Sequence, residues 1–302
     1  MLGNVNSRTL IRPATALGLI ARGALAGAGA LAACAALAPA SALAASVSAN
    51  WAGYVALPSA AGGAHFSSVS SAWTQPRATC TAGAESYSAV WVGLGGYSKS
   101  ARALEQIGTD ADCAHTGGAS YSAWYELLPA GPVNLKLRVH PGDQLLASVT
   151  VRHRDVTLRI RDLSTGARFS TTRRPSHVDT SSAEWIVEAP SSCVNGQTCD
   201  VLALTDFGEV AFSNATATVR SHTGPVGDPE WSSTALELQQ KAITGRGGRA
   251  SGHVAPSPAL ILATPSSLSA AGGAFSVSWQ EQTPQPQQPS APTLPGSGGG
   301  PP

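Results

Sequence analysis

The sequence predicts an all-β protein built from many short strands. Stretches in which apolar and polar residues alternate recur along the chain, and Gly, Pro, Asp or Ser residues bound them. Convincing helical periodicity is missing from nearly all of the sequence. Many short strands at this spacing are typical of an antiparallel sandwich or barrel. The predicted strands are residues 48–55, 86–94, 119–127, 145–151, 156–163, 182–188, 209–219 and 274–279.

One segment favours a helix instead. Residues 232–243 read SSTALELQQKAI, in which a serine that can cap a helix precedes a run of good helix formers. The sequence therefore predicts a single helix at 232–243 within the β domain.

The chain divides into three parts. Residues 1–45 place Arg8, Arg12 and Arg22 before an apolar run that ends in the cleavage pattern ALA at 42–44, which predicts a signal peptide and a secreted, extracellular protein. Residues 46–281 form the predicted domain, with a flexible segment at 246–253. Residues 282–302 are rich in Pro, Gln and Gly and are predicted to be disordered. We expect a monomer without a membrane span; the alternative is a lipid anchor at Cys34, in the string LAAC.

The composition gives no indication of a nucleic-acid partner. Charged residues make up 12% of the chain and the formal net charge is +1, against about 25% charged residues in an average soluble domain. Arg152, Arg154, Arg159 and Arg161 are close in sequence but alternate along predicted strands, which is typical of a solvated sheet face. Nucleic-acid binding needs a clustered basic surface, so we expect no nucleic acid to bind.

Four cysteines follow the predicted signal peptide, and in an exported chain they suggest two disulfides with three possible connectivities. A bridge between Cys193 and Cys199 is the easiest pairing, because these residues bracket a short polar loop. Cys80 and Cys113 would then form the second bridge. The chain has no C-x-x-C spacing and its seven histidines are scattered, so neither a metal nor a cofactor is expected.

Several kinds of hydrolase are excluded by their missing motifs. The chain has no G-x-S-x-G nucleophile elbow, no H-E-x-x-H zinc motif and no Walker or dinucleotide-binding loop. Asp-Thr-Ser occurs once at 179–181, whereas an aspartic peptidase needs Asp-Thr/Ser-Gly twice. Carboxylate chemistry is the class that remains.

Three segments are richer in chemical groups than a sandwich core requires. Residues 91–96 read WVGLGG, in which glycines beside Trp91 would let another chain approach closely. In residues 104–110, LEQIGTD, strand alternation puts Gln106, Gly108 and Asp110 on one face and Glu105 on the other. In residues 182–190, SAEWIVEAP, the same alternation puts Glu184, Ile186 and Glu188 on one face and Trp185 on the other.

Taken in this order, the segments resemble the glutamic peptidases of family G1, the eqolisins, which include the scytalidoglutamic and aspergilloglutamic peptidases. The strings SANWAGY at 48–54, AWTQP at 72–76, WYE at 124–126, PGD at 141–143 and FGEVAF at 207–212 also resemble family landmarks. The resemblance covers residues 48–279 and suggests a bacterial-type member. It implies a concanavalin-like sandwich of two large curved antiparallel sheets, with the substrate cleft on the concave face.

The resemblance also implies the site residues. The catalytic Glu and Gln map onto Glu184 and Gln106, and the positions that line or support the cleft are Trp91, Asp110, Trp124 and Glu126. The chain has Leu127-Leu128 where family members carry further aromatic residues, which concerns subsite preference. No metal site is implied.

This pair would suit hydrolysis of polypeptides in acid. One carboxylate can act first as general base on water and then as general acid on the leaving amine, while a Gln amide stabilises the oxyanion. Two alternatives are a carbohydrate-binding or carbohydrate-hydrolysing sandwich, with Glu126 and Glu184 as its acid and nucleophile, and an inactive binding relative of the family.

Overall fold

The computed structural model describes residues 45–59, 64–194, 198–241 and 259–281. Nearly all of the predicted signal peptide, the predicted flexible segment at 246–253 and the predicted tail at 282–302 lie outside these ranges. Within them every regular element is a strand, and no helix is present that could cross a membrane.

Eighteen strands are found in the described residues. The first nine are β1 Ser46–Ser48, β2 Trp51–Pro58, β3 Phe66–Thr74, β4 Ala89–Gly95, β5 Leu104–Cys113, β6 Ala119–Leu127, β7 Val133–Asn134, β8 Gln144–Arg152 and β9 Asp155–Asp162. The other nine are β10 Arg168–Arg173, β11 Ala183–Glu188, β12 Ser191–Val194, β13 Thr198–Val201, β14 Glu209–Val219, β15 His222–Pro225, β16 Trp231–Lys241, β17 Ala259–Pro265 and β18 Phe275–Trp279.

The strands form two packed layers. Hydrogen bonds connect them in the order β10-β9-β8-β3-β14-β18-β17-β16-β2-β11-β4-β5-β6-β7, with β1 beside β16 and β15 beside β14. The first layer runs from β10 to β14 and the second from β16 to β7, and β8 and β9 pack on β4 and β5, while β3 and β14 pack on β11. The predicted all-β antiparallel sandwich is therefore confirmed, and its two layers are joined through β17 and β18.

The core lies between the layers, and the middle of the second layer is also buried on its other face. Trp185 is fully buried between the layers, where its indole Nε1 donates a hydrogen bond to the Ser70 carbonyl at 3.0 Å. Ile186, next along β11, packs with Trp91 on the opposite face. The predicted alternation along β11 is therefore confirmed. We call the face that carries Ile186 and Trp91 the cleft face.

The helix predicted at 232–243 is wrong for its described part, which belongs to β16. This strand pairs with β2 through residues 231–236 and with β17 through residues 238–241. Both Leu236 and Leu238 are buried, the first in the cluster on the cleft face and the second in the core between the layers. Backbone pairing on both sides overrides the local helix propensity, which differs by less than about 1 kcal/mol per residue among these residue types.

Both predicted disulfides are confirmed. Cys80 is bonded to Cys113, which ties the segment before β4 to the end of β5. Cys193 is bonded to Cys199 across the β12–β13 hairpin.

Candidate active site

A cleft of about 480 Å³ opens on the cleft face of the second layer, across β11, β4, β5 and β6. Its chemistry is dominated by acids, since four carboxyl side chains line it and none of its described lining residues is Lys, Arg or His. The four are Asp110, Asp112, Glu126 and Glu188. Trp51, Tyr87 and Trp124 supply aromatic walls.

Strand register brings the site residues into rows. Gln106 pairs with Gly93 on one side and with Glu126 on the other. One step along, Trp91 pairs with Gly108, and a Cβ added to Gly108 would lie 2.6 Å from the Trp91 Cβ and 2.3 Å from the Val90 carbonyl oxygen. Glycine at 108 is therefore required for Trp91 to lie across the strand beside Gln106.

Glu188, the last residue of β11, has its carboxylate held by two N–H groups. Asn50 Nδ2 donates to Oε1 at 2.9 Å, and Trp91 Nε1 donates to Oε2 at 2.8 Å. Desolvation raises the pKa of Glu188 to about 7, and the charge of Glu126 adds to the shift while the two donors oppose it. Trp51 packs edge-on against Trp91 at 5.1 Å, and its own indole N–H lies near the carboxylate without hydrogen-bond geometry.

Gln106 is joined to Glu126. Its Nε2 donates to Glu126 Oε2 at 2.6 Å, while its buried Oε1 has no hydrogen-bond partner. Burial raises the pKa of Glu126, and the hydrogen bond from Gln106 opposes that shift. An amide carries two N–H donors and an acceptor oxygen, so Gln106 retains one donor and one acceptor beyond its bond to Glu126.

Asp110 and Asp112 continue the acidic wall. Asp110 accepts hydrogen bonds from Trp124 Nε1 at 2.6 Å and from Ser122 Oγ at 2.8 Å. Desolvation, aided by the charge of Asp112, raises the pKa of Asp110 to about 7. Desolvation also raises the pKa of Asp112 to about 6, against the hydrogen bond from the Ser88 backbone N–H. Most of these carboxyls are therefore protonated in acid, and the cleft becomes strongly anionic above neutral pH.

Glu184 is not among the residues that line the cleft. Its register puts it on the same face as Gln106, with Gly93 between them, but its side chain is fully buried and neither carboxylate oxygen has a hydrogen-bond partner. Desolvation raises the pKa of Glu184 well above its ordinary value, and the charges of Asp179 and Glu105 add to this, while Ser182 opposes it without hydrogen-bond geometry.

Glu105 points to the opposite face of β5 from Gln106, where Leu94 and Ala183 in its row belong to the core, and its charge acts on Glu184. Its Oε1 accepts a hydrogen bond from the Asp179 N–H at 3.3 Å, and its buried Oε2 has no partner. Burial raises the pKa of Glu105 to about 8. We call the two buried carboxyl groups, Glu105 and Glu184, the buried acid cluster. In the described residues no group of three or more His, Cys, Asp or Glu side chains is arranged to hold a metal ion.

The structure thus brings together most of the residues chosen from the sequence. Gln106, Asp110, Trp124 and Glu126 line the cleft, and Trp91 lies buried beneath it. Sequence reasoning gave no site role to Glu188 or to its partner Asn50. Strand alternation puts Glu188 on the same face as Glu184, four residues earlier, and Asn50 lies within the SANWAGY string at 48–54.

Comparisons with known proteins point to one family. A family model described as the Peptidase A4 family matches residues 49–245. Aspergillopepsin-2 of Aspergillus niger is 27% identical over 216 residues, which cover 64% of this chain and 71% of that protein.

Two solved structures have a similar fold. Scytalido-glutamic peptidase, determined with a peptide-based transition-state analogue, gives a TM-score of 0.59 at 22% identity, over 77% of this chain and 98% of that one. SCP-B, a member of the eqolisin family of peptidases in a complex with the tripeptide Ala-Ile-His, gives 0.57 at 20% identity with the same coverage. The family resemblance read from the sequence is confirmed: this chain belongs to the Peptidase A4 family, the glutamic endopeptidases also called eqolisins.

Proposed function

We propose that the protein is a secreted endopeptidase that hydrolyses polypeptides in mild acid through Gln106 and Glu188. The observation that carries the proposal is that Glu188 and Gln106 both line the cleft, whereas Glu184, which lies in the same strand row as Gln106, is fully buried and is not among the lining residues. Glu188 therefore replaces Glu184 as the proposed general base. The same observation weakens the carbohydrate alternative, because it removes Glu184 from the pair with Glu126.

The proposal assigns each step of hydrolysis to a group that lines the cleft. The ionised Glu188 carboxylate takes a proton from the attacking water, with Asn50 and Trp91 fixing its orientation. The free acceptor of Gln106 orients that water, and its second N–H donates to the oxyanion that forms on the scissile carbonyl. Protonated Glu188 then gives its proton to the leaving amine, so that one carboxyl serves as base and acid in turn.

The acidic lining explains why mild acid suits this chemistry. An oxyanion forms beside Glu126 and Asp110, and it is disfavoured when those carboxylates are charged. Desolvation raises the pKa of Asp110 to about 7 and also raises that of Glu126, which keeps both groups neutral in acid.

Secretion as a monomer is part of the proposal. It is supported by the signal pattern that ends at residue 44 and by the two disulfides, since such bonds persist in oxidising compartments. Intact mass measured on protein from the culture medium should correspond to a chain that starts at residue 45 or 46. A chain beginning at a lipid-modified Cys34 would contradict this.

The two glutamates of β11 provide the test of the mechanism. With a denatured protein as substrate, Glu188→Gln should lower kcat/KM by about 10²- to 10⁴-fold, the usual contribution of a positioned general base. Gln106→Ala should lose about 10²–10³ and retain more activity, because it removes one oxyanion donor. Glu184→Gln is the matched control and should remain within a few-fold of wild type. Loss of activity in folded Glu184→Gln, with Glu188→Gln active, would reverse the assignment.

A further inference from the structure

The first layer carries unpaired arginines on the face that points away from the core. Residues 144–174 contain seven of the chain's 19 Lys and Arg residues and only two acids, Asp155 and Asp162. Three of the seven are engaged: Arg174 pairs with Asp155 at 2.8 Å, Arg154 donates to backbone carbonyls, and Arg173 lies over the Tyr125 ring. The other four are exposed and have no side-chain partner among the described residues. They are Arg152, Arg159, Arg161 and Arg168.

Strand register concentrates these charges. Arg161 on β9 pairs directly with Arg168 on β10, so their Cβ atoms lie about 4.5–5.5 Å apart. Arg159 is two residues earlier on β9 and faces the same way, about 7 Å along the strand. Like charges directly opposite each other destabilise a sheet. Asp162 does not relieve them, because it is buried and accepts hydrogen bonds from Ser164 and Thr165. The array therefore suits a ligand with repeated negative charges.

Rows of hydroxyl groups cross the same face beside the arginines. One row spans six strands, and neighbouring hydroxyls in it bond to each other: Thr157 with Thr172 at 3.0 Å, Ser68 with Thr150 at 3.1 Å, and Thr218 with Thr223 at 2.8 Å. The members of the row are Thr172, Thr157, Thr150, Ser68, Thr218 and Thr223. Each hydroxyl can make a further hydrogen bond beyond the one to its neighbour.

We propose that this face of β8, β9 and β10 binds an acidic polysaccharide, a sugar chain that carries repeated carboxylates. The arginines would pair with the carboxylates, and the hydroxyl rows would bond to the sugar hydroxyls. A nucleic acid fits less well, because the rows contain no aromatic side chain on which a base could stack. The face belongs to the opposite layer from the cleft, so a bound polymer leaves the cleft open and tethers the protein. The proposal does not depend on the assignment of the catalytic residues.

Binding to polygalacturonate tests the proposal. Wild-type protein should bind immobilised polygalacturonate at low salt, release it at about 0.5 M salt because exposed charge pairs are screened, and ignore neutral dextran. Arg161→Gln/Arg168→Gln should bind roughly 2- to 30-fold more weakly, the range for two exposed ion pairs. The matched control, Arg77→Gln/Lys99→Gln, removes two exposed charges elsewhere and should bind like wild type.

Two further probes distinguish recognition of the sugar hydroxyls from attraction to negative charge alone. Poly-L-glutamate carries carboxylates without sugar hydroxyls and should bind several-fold more weakly than polygalacturonate, and Thr150→Val/Thr157→Val should narrow that difference. Cleavage of a short peptide should continue at the wild-type rate in saturating polygalacturonate. Equal weakening by both double charge variants, equal binding of both polymers, or tighter binding of single-stranded DNA or anionic vesicles through the same arginines would overturn the proposal.

Discussion

The buried acid cluster should make the fold less stable as pH rises. For Glu105 the folded-state pKa of about 8 lies above its ordinary value of 4.5 because burial disfavours the charged carboxylate. A carboxyl with a raised folded-state pKa contributes its full stability below about pH 4.5 and loses it as pH rises to about 8. The shift of about 3.5 units corresponds to roughly 5 kcal/mol at 1.36 kcal/mol per unit, which is a large part of the stability of a typical domain.

Glu105→Gln removes this titration and nearly preserves the side-chain shape. At pH 4 the variant should be about as stable as wild type, since the amide oxygen can still accept the hydrogen bond from Asp179. Between pH 5 and pH 8 the wild type should lose about 1.4 kcal/mol more per pH unit than the variant does. Glu184→Gln should act in the same direction, because burial also raises the pKa of Glu184.

Urea unfolding followed by tryptophan fluorescence at closely spaced pH values would measure the effect. Glu230→Gln, at an exposed position, is the control and should follow the wild-type curve. Equal rates of stability loss in Glu105→Gln and wild type between pH 5 and pH 8 would contradict this role of Glu105. A variant markedly less stable at pH 4 would show instead that the carboxyl forms a bond that the amide cannot replace.

Three further predictions concern the cleft and the disulfides. The pH profile of kcat/KM should be bell-shaped with its maximum near pH 6–7. Glu188, with a pKa of about 7, must ionise, while Asp110, whose pKa is also about 7, must stay neutral. A maximum below pH 4 would contradict the assignment of Glu188 as general base. Trp91→Phe removes a hydrogen-bond donor to the Glu188 carboxylate and should therefore raise the pKa of Glu188. The acid limb of the pH profile should move up by about one pH unit or more. An unchanged acid limb would exclude Trp91 as a donor that lowers this pKa. Replacing Cys80 and Cys113 with serines should lower the free energy of unfolding by roughly 3–4 kcal/mol, against about 2 kcal/mol for Cys193 and Cys199, because the closed loops span 33 and 6 residues. Denaturant unfolding measures both values. The reverse order would show that contacts in the native state, and not loop entropy in the unfolded chain, determine the difference.

Much of the fold could be predicted because alternation is a local signal. The predicted strands at 119–127, 145–151 and 209–219 correspond to β6, β8 and β14. The strand β3, Phe66–Thr74, was not predicted, since its sequence FSSVSSAWT puts small hydroxyl residues where an apolar alternation is expected. The helix predicted at 232–243 was wrong for a different reason. The pairing of β16 with β2 and β17 is set by residues far away in sequence.

The sequence could predict which side chains share the face of the site, but not which of them line the cleft. Alternation correctly put Gln106 and Asp110 together on one face of β5, and both line the cleft. The same rule put Glu184 and Glu188 together on one face of β11, and it could not distinguish them. Which of the two reaches the cleft depends on the side chains packed over each end of the strand, and these come from other parts of the chain.

The two glutamates of β11 show how packing assigns different chemistry to one residue type. Glu184 is fully buried and its carboxylate has no hydrogen-bond donor, so desolvation raises its pKa well above the ordinary value. At Glu188 the burial is incomplete and two N–H groups point at the carboxylate, which brings its pKa to about 7, within the range in which it can both take and give a proton. Burial without donors therefore favours the neutral form of Glu184, while partial burial with donors makes Glu188 suitable for acid–base catalysis.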